Sequence, residues 1–386
     1  MIMNILFISQ WYPNRYDKMA GLFVQKHAKA TSLHCKIRVL YVHADENVDT
    51  FEITEEIHEN LTEIRVYYPD KKNLFFRKLI KTINYIRAYS KGYKQVISSG
   101  FIPQIVHVNI LSRTGFIAYL FKRWKKIPYV VSEHWSRYLP IRDAYKGIIR
   151  HVITKLVVRN AAAVLPVSGN LKNAMLQQKL YNHNYIVVNN VVDDFFFENT
   201  PPEPRTKKRM IHISCFDERA KNIKGIIRAT HDLLKIRQDV ELIIIGTGLD
   251  FNEVYTYYEA FQFPPKTVSF LGEKTPEEVT YWIQNSDFLV HFSNYENAPV
   301  VISECLAAGK PVISTNVGGI SEFINDSNGI LIKPGDETAL TENMNFLLDH
   351  LADYNTKSIK SSAQKFSYHS VGTEIYTIYK TILKKE

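Results

Sequence analysis

The stretch Phe288-Leu-Val-His-Phe-Ser-Asn-Tyr-Glu-Asn-Ala-Pro-Val-Val-Ile-Ser-Glu-Cys-Leu-Ala-Ala-Gly-Lys-Pro-Val-Ile-Ser-Thr-Asn-Val-Gly-Gly-Ile-Ser-Glu322 reads as strand, loop, helix, strand. Phe288–His291 and Pro311–Ser314 are near-continuous apolar runs, the pattern of strands buried on both faces of a parallel sheet. Between them a helix is expected to begin at Pro299, since proline suits a first helical turn. Asn297 or Ala298 would cap it, asparagine being the better cap. Glu304 then falls in the second turn, eight residues after Glu296 in the loop. One carboxylate thus precedes the helix and one rides on it, with free backbone N–H groups between. First-turn amides attract phosphate oxygens, and a carboxylate accepts hydrogen bonds from vicinal hydroxyls. A phosphorylated sugar would suit that combination. The plainer alternative makes Glu296 a solvated loop acid and Glu304 a partner of the helix dipole.

The same alternation runs outward through the chain. Strands are expected at Ile5–Ile8, Ile37–Val42, Glu63–Tyr67, Ile105–Val108, Tyr129–Val131, Ala163–Val167 and Ile186–Val188 in the first half. In the second half they are expected at Met210–Ile213, Glu241–Ile245, Thr267–Phe270, Phe288–His291, Pro311–Ser314 and Ile330–Ile332. Longer helical stretches separate them, which implies βαβ units and an α/β fold of two doubly wound, Rossmann-like domains. Glu198-Asn-Thr-Pro-Pro-Glu-Pro-Arg-Thr-Lys-Lys-Arg209 carries three prolines and a charge run, so it reads as the linker. The expected division is an N-terminal domain over 1–197, the linker 198–209 and a C-terminal domain over 210–367.

Composition narrows the class. The chain has 386 residues, 45% apolar and 23% charged, which excludes disordered and collagen-like proteins. Its longest apolar runs fall short of the roughly 20 residues of a spanning helix. The N-terminus lacks the basic start and small-residue cleavage site of a signal peptide. Three scattered cysteines, Cys35, Cys215 and Cys305, argue against a disulfide framework or a zinc site and fit a reducing cytoplasm. The net charge of +9 hides a split: residues 1–195 hold 28 Lys/Arg against 14 Asp/Glu, while residues 196–386 hold 20 against 25. Between Asp70 and Glu133 there are 13 Lys/Arg and no acid. Such asymmetry points to a polyanionic partner for the first half.

The motifs carry a resemblance. Glu296-x7-Glu304, with Ala308-Gly309-Lys310-Pro311-Val312-Ile313 and Gly318-Gly319-Ile320-x-Glu322 behind it, resembles the signature of the retaining GT-B glycosyltransferases of family 4. Tyr12-Pro13 through Gly21-Leu-Phe23 and His27-Ala28 is similar to that family's first loop and helix. Val131-Ser-Glu-His134-Trp135 is similar to its central histidine motif, and Leu165-Pro-Val-Ser168 and Asn189-Asn-Val-Val-Asp193 to the segments before its interdomain crossing. Glu241-Leu-Ile-Ile-Ile-Gly-Thr-Gly248 and Val268-Ser-Phe-Leu-Gly272 resemble strands of its second domain.

The resemblance implies a fold in which the two domains face each other across a cleft and the Tyr368–Lys384 helix, within 368–386, returns to the first domain. It implies that Glu304 binds the ribose hydroxyls of a nucleotide-sugar and that Glu296 and His134 act beside the transferred sugar. Gly21 would let the backbone approach the donor phosphates, with Asn297, Ala298, Val300 and Val301 completing the donor site. The family's pyrophosphate clamp is an Arg and a Lys. Lys221 matches the Lys, but Cys215 or Phe216 stands where the Arg belongs, which removes a bidentate fork. Arg219 could supply that charge from the same loop, with Lys224 as a second choice. Neither a metal nor any other cofactor is expected, the nucleotide-sugar being a co-substrate.

Two motifs count for less. Gly246-Thr-Gly248 lacks the third glycine of a dinucleotide fingerprint. Asp193-Asp194 could suggest a metal-bound pair but sits beside Phe195-Phe-Phe197 at the linker.

Leu74-Phe-Phe-Arg-Lys-Leu-Ile-Lys-Thr-Ile-Asn-Tyr-Ile-Arg-Ala-Tyr89 is a basic amphipathic helix, with Phe76, Leu79, Ile80, Ile83 and Ile86 at helical spacing. It suits an anionic bilayer, or else packs on the core with a basic solvent face. No nucleic-acid-binding motif accompanies it. The expected activity is transfer of a sugar, with retention, to a cell-envelope glycan or lipid-linked acceptor at the cytoplasmic face of the membrane. A nucleotide-sugar epimerase of the same architecture, or a non-catalytic sugar-nucleotide or membrane-binding subunit, are the rivals.

Overall fold

The computed structural model describes residues 2–71, 76–111 and 113–384 and divides the chain into two compact units, 1–191 with 368–386, and 192–367. The first unit holds strands β1 (Met3–Ser9), β2 (Cys35–Asp45), β3 (Glu52–Ile57), β4 (Leu61–Pro69), β5 (Ile105–Asn109), β6 (Tyr129–Glu133) and β7 (Ala163–Pro166). They form one sheet in the order β3-β4-β2-β1-β5-β6-β7, parallel except for β3. Helices α1 (Leu22–Ser32), α2 (Arg77–Ile97), α3 (Arg113–Lys125), α4 (Ile148–Asn160) and α5 (Gly169–Gln177) connect the parallel strands and follow the last of them.

The second unit is a parallel six-stranded sheet. Its strands are β8 (Lys208–Ile213), β9 (Val240–Ile245), β10 (Val268–Phe270), β11 (Phe288–His291), β12 (Val312–Thr315) and β13 (Gly329–Ile332), in the order β10-β9-β8-β11-β12-β13. Its helices are α6 (Glu218–Lys221), α7 (Ile223–Leu233), α8 (Phe251–Glu259), α9 (Pro276–Gln284), α10 (Val300–Ala307), α11 (Glu337–Asp349) and α12 (Thr356–Ala363). The chain then re-enters the first unit as α13 (Tyr368–Leu383), which buries Val371, Ile375, Ile378 and Ile382 in the core built on β1 and β2. Tyr379 of α13 reaches His107 Nδ1 beneath β5.

Four local readings of the sequence are corrected. Ile186–Val188 is not a strand; Tyr185 makes a single bridge to Val164 and the chain then runs irregularly. The sequence reading missed β3, because all six of its residues are exposed and Glu-Ile-Thr-Glu-Glu-Ile has no buried face to betray it. The helix expected from Pro299 begins at Val300 with Pro299 itself as the cap, in place of Asn297 or Ala298. Residues 192–197 belong to the second unit, not the first, because Val192 and Phe196 are fully buried in its core against Ile211 and Leu289.

Candidate active site

In the second unit several of the candidate side chains collect at the carboxyl end of β11, the usual ligand edge of an open parallel sheet. Glu296 lies in the loop between β11 and α10. Its Oε1 accepts hydrogen bonds from Lys221 Nζ, from His291 Nε2 at 2.9 Å and from Ser293 Oγ at 3.0 Å. The backbone fixes these partners before any ligand arrives. Asn294 N–H donates to Ala220 O at 2.7 Å, and its side chain donates to Arg219 O, so the loop is tied to α6 and Lys221 is held at Glu296. From β12, Ser314 Oγ donates to His291 O and Thr315 Oγ1 to Ser293 O.

Burial acts first on this cluster and opposes ionisation of the carboxyl. The His291 hydrogen bond and the Lys221 ammonium outweigh it and hold the Glu296 pKa at about 2. Lys221 is likewise pushed down by burial, but Glu296 more than compensates and its pKa ends above the usual lysine value. His291 has its pKa lowered by burial, so it is a neutral imidazole donating Nε2–H. The cluster is therefore a buried ion pair with two neutral donors on the carboxylate.

Gly318 explains part of the glycine pair at 318–319. It adopts φ +59°, and a Cβ there would lie 2.0 Å from Glu296 O. Gly319 N–H donates to Asn297 O at 3.0 Å. This turn therefore sets the backbone of the Glu296 loop from behind.

Asn297 is buried, Ala298 half-buried, and Val300 and Val301 open α10. The N–H groups of Val300 and Val301 precede the first intrahelical bond, and the helix end carries the positive pole of its dipole. Glu304 is half-buried one turn further along the same helix. Cys215 and Arg219 are exposed on the segment after β8. That segment is clamped by Phe216 N–H on Thr247 O and Asp250 N–H on Phe216 O, with Gly248 leaving room for the Phe216 backbone. Lys224 is engaged elsewhere, in an ion pair with Glu253. Lys221, Glu296 and the α10 start are thus brought together; Lys224 is not.

In the first unit Gly21 caps α1 at φ +67°, and a Cβ would lie 2.4 Å from the Trp11 carbonyl. Its demand is for close packing on the Trp11–Tyr12 backbone. His134 follows β6; its Nδ1 lies 3.1 Å from Asn190 Oδ1, and its ring lies 4.5 Å from Phe23 and 5.1 Å from His27. Burial, then the neighbouring His27, drives its pKa well below the ordinary histidine value, so the ring is neutral. Glu133 accepts N–H bonds from Leu111, His134 and Trp135, which fixes the start of the His134 loop.

Residues 193–365 match the family model for glycosyl transferases group 1. The second unit is thus a group 1 glycosyl transferase domain. The chain is 25% identical to the N-acetyl-alpha-D-glucosaminyl L-malate synthase of Bacillus anthracis, over 73% of this chain and 76% of that one. It is 21% identical to a putative teichuronic acid biosynthesis glycosyltransferase of Bacillus subtilis, over 88% of each chain. Its fold is that of the Anabaena protein HepE, solved in complex with UDP, at a TM-score of 0.74 and 16% identity over 98% of this chain and 100% of HepE. The GT-B class expected from the sequence is the observed one.

Sequence reading missed His291 and Ser293. Both were visible as polar side chains two apart at the end of an otherwise apolar run, hence on one face of the strand line that leads to Glu296.

Proposed function

We propose that this glycosyltransferase moves a sugar from a nucleotide-sugar to a cell-envelope glycan or lipid-linked acceptor with retention of configuration. The observation that carries the reading is the buried Lys221–Glu296 pair at the start of α10, with Glu304 one turn along that helix. Lys221, the exposed Arg219 and the Val300 and Val301 N–H groups meet the negative charge that develops on the departing nucleoside diphosphate, the electrostatic role that dominates such chemistry. Glu296 orients the sugar, and the acceptor hydroxyl attacks from the face the diphosphate leaves. No protein nucleophile and no metal ion takes part. The relatives support the donor and acceptor classes: HepE is solved with UDP, and the Bacillus subtilis relative is named for teichuronic acid synthesis.

Glu304→Ala should weaken nucleotide-sugar binding at least tenfold, since a carboxylate hydrogen bond contributes about 1.5–3 kcal/mol. A thermal-shift titration across UDP-, GDP- and ADP-sugars reads both the preferred base and the loss. Unchanged affinity in the variant would remove Glu304 from the ribose site. Turnover measured with and without a lipid-linked acceptor separates transfer from epimerisation, which needs no acceptor, and from a non-catalytic role.

Peripheral attachment to the inner face of an anionic membrane belongs to the same proposal. Among the described residues no helix is long and apolar enough to cross a membrane. The apolar stripe of α2 does not pack on the core: Phe76, Leu79, Ile83 and Ile86 are 63%, 60%, 40% and 55% exposed. The helix buries Ala88, Tyr89, Gly92 and Val96 instead, and Leu74 and Phe75 lie outside the described residues. An exposed apolar stripe among Lys78, Arg87 and Lys91 has the chemistry of an interfacial helix. Leu79→Ser with Ile83→Ser should reduce co-sedimentation with phosphatidylglycerol vesicles severalfold. Equal binding to neutral and anionic vesicles would exclude the electrostatic part.

A further inference from the structure

The first unit contains a cavity of about 880 Å³ at the carboxyl ends of its strands, roofed by α2, α3 and α4. Three of its properties converge on one class of ligand. Its lining includes Lys81, Arg113, Arg137 and Arg150 and, among the described residues, no Asp or Glu. Its walls are aromatic, with Trp11, Trp135, Tyr41, Tyr68, Tyr85 and Phe116. Its rim is apolar and open to solvent, through Ile86 on α2, Phe116 on α3 and Ile149 on α4.

The cations differ in how they are occupied. Lys81 is paired with Asp70, and Arg150 donates to the Lys146 carbonyl. Arg137 is half-buried, stacked on the Trp135 ring, and its Nε is buried without a hydrogen-bond partner. Its nearby Glu133 already accepts three backbone N–H bonds and makes no ion pair with it. The Arg113 side chain makes no ion pair or hydrogen bond among the described residues, and its charge acts on the hydroxyls of Tyr68 and Tyr85. A buried N–H without an acceptor is costly unless a ligand supplies one. A planar guanidinium suits a phosphate oxygen pair.

We propose that this cavity is the acceptor pocket and that it takes a phosphate or diphosphate ester of a hydrocarbon chain. Arg137 and Arg113 hold the phosphate, and the hydrocarbon leaves over Ile86, Phe116 and Ile149. The pocket joins the His134 loop through Trp135, so the phosphorylated end lies next to that loop. The exposed stripe of α2 lies beside the exit, where a chain drawn from a bilayer would enter. This assignment rests on the transferase reading for the word acceptor, but the binding itself is independent of it.

The test uses the full chain and the intrinsic fluorescence of Trp11 and Trp135, with farnesyl phosphate, farnesol and inorganic phosphate as probes. Farnesyl phosphate, kept below its micellar concentration, should bind at least tenfold more tightly than either of the others. Arg137→Gln and, separately, the exposed Arg113→Gln should each weaken farnesyl phosphate at least tenfold and leave farnesol unchanged. Lys36→Gln, a surface change on β2, should alter nothing, and circular dichroism checks the fold of each variant. Equal binding of farnesol would reduce the site to an apolar pocket, equal binding of inorganic phosphate to an anion site, and unaffected variants would remove the arginines; each overturns the proposal. Nucleotide-sugar binding is measured in parallel on the unmodified protein. If a nucleotide-sugar stabilises the protein and farnesyl phosphate does not bind, the acceptor class is wrong and the transferase reading stands. If farnesyl phosphate binds and no nucleotide-sugar does, the pocket stands and the transferase reading falls.

Discussion

Lys221→Ala should lower turnover by about 100-fold or more, the scale of losing one preorganised group that stabilises transition-state charge. It should also cost about 3 kcal/mol of stability at pH 7, because Glu296 is then left charged and buried without its cation. The double variant Lys221→Ala, Glu296→Gln should recover much of that stability while remaining inactive, since no unpaired charge stays behind. A double-mutant cycle on thermal or urea unfolding measures the recovery. The pH dependence gives a second readout. In the unmodified protein the Glu296 pKa lies near 2, below its ordinary 4.5, so the pair's contribution is present above about 4.5 and is lost as pH falls toward 2. In Lys221→Ala burial of the carboxyl is no longer countered by the cation. Acidification from pH 7 to 5 then lets Glu296 or His291 take up a proton, and the variant should gain stability over the range where the unmodified protein holds steady. If both proteins lose stability in parallel on acidification, the ion pair is not what sets the local charge balance.

Why that pair could be named from the sequence only as two separate residues is a matter of distance along the chain. Lys221 and Glu296 stand 75 positions apart, a separation that leaves no periodicity to connect them. Each was legible through its own motif, Lys221 on the segment after β8 and Glu296 ahead of the helix. Their contact is made by the sheet order, which places β8 beside β11. The parallel strands were legible because their runs are apolar on both faces, as in Val240-Glu-Leu-Ile-Ile-Ile245. The antiparallel β3 was not, since its pairing to β4 rests on backbone hydrogen bonds and leaves every side chain exposed. The helix start at Val300 was off by one residue for a local reason: Pro299 has ψ 117°, extended backbone, so it ends the loop without joining the helix. The cavity beneath α2, α3 and α4 was not legible at all. Its cations come from separated segments, and only the acid-free run between Asp70 and Glu133 hinted that they would gather.

Gly318→Ala should reduce turnover on the order of 100-fold, although Gly318 contributes no side chain to the site. Positioning errors near 1 Å are enough for such losses. The new Cβ would sit 2.0 Å from Glu296 O, and neither atom can rotate away, because the Cβ position is fixed by the backbone and the oxygen is part of it. The Glu296 loop must move, while Asn294 remains tied to α6 and Asn297 O to Gly319 N–H. The displacement therefore falls on the carboxylate and its contact with Lys221. The left-handed conformation adds a separate cost of about 1 kcal/mol for a residue with a Cβ. Gly335→Ala isolates that second cost, because Gly335 has φ +78° with nothing within 4 Å of the added atom. Gly335→Ala should lose about 1 kcal/mol of stability and keep full turnover, whereas Gly318→Ala should lose turnover out of proportion to its stability. Steady-state kinetics at saturating nucleotide-sugar, alongside thermal unfolding of both variants, makes the comparison. Full activity in Gly318→Ala would mean that the loop position of Glu296 is not critical, and the carboxylate would then have to be removed from the sugar-orienting role.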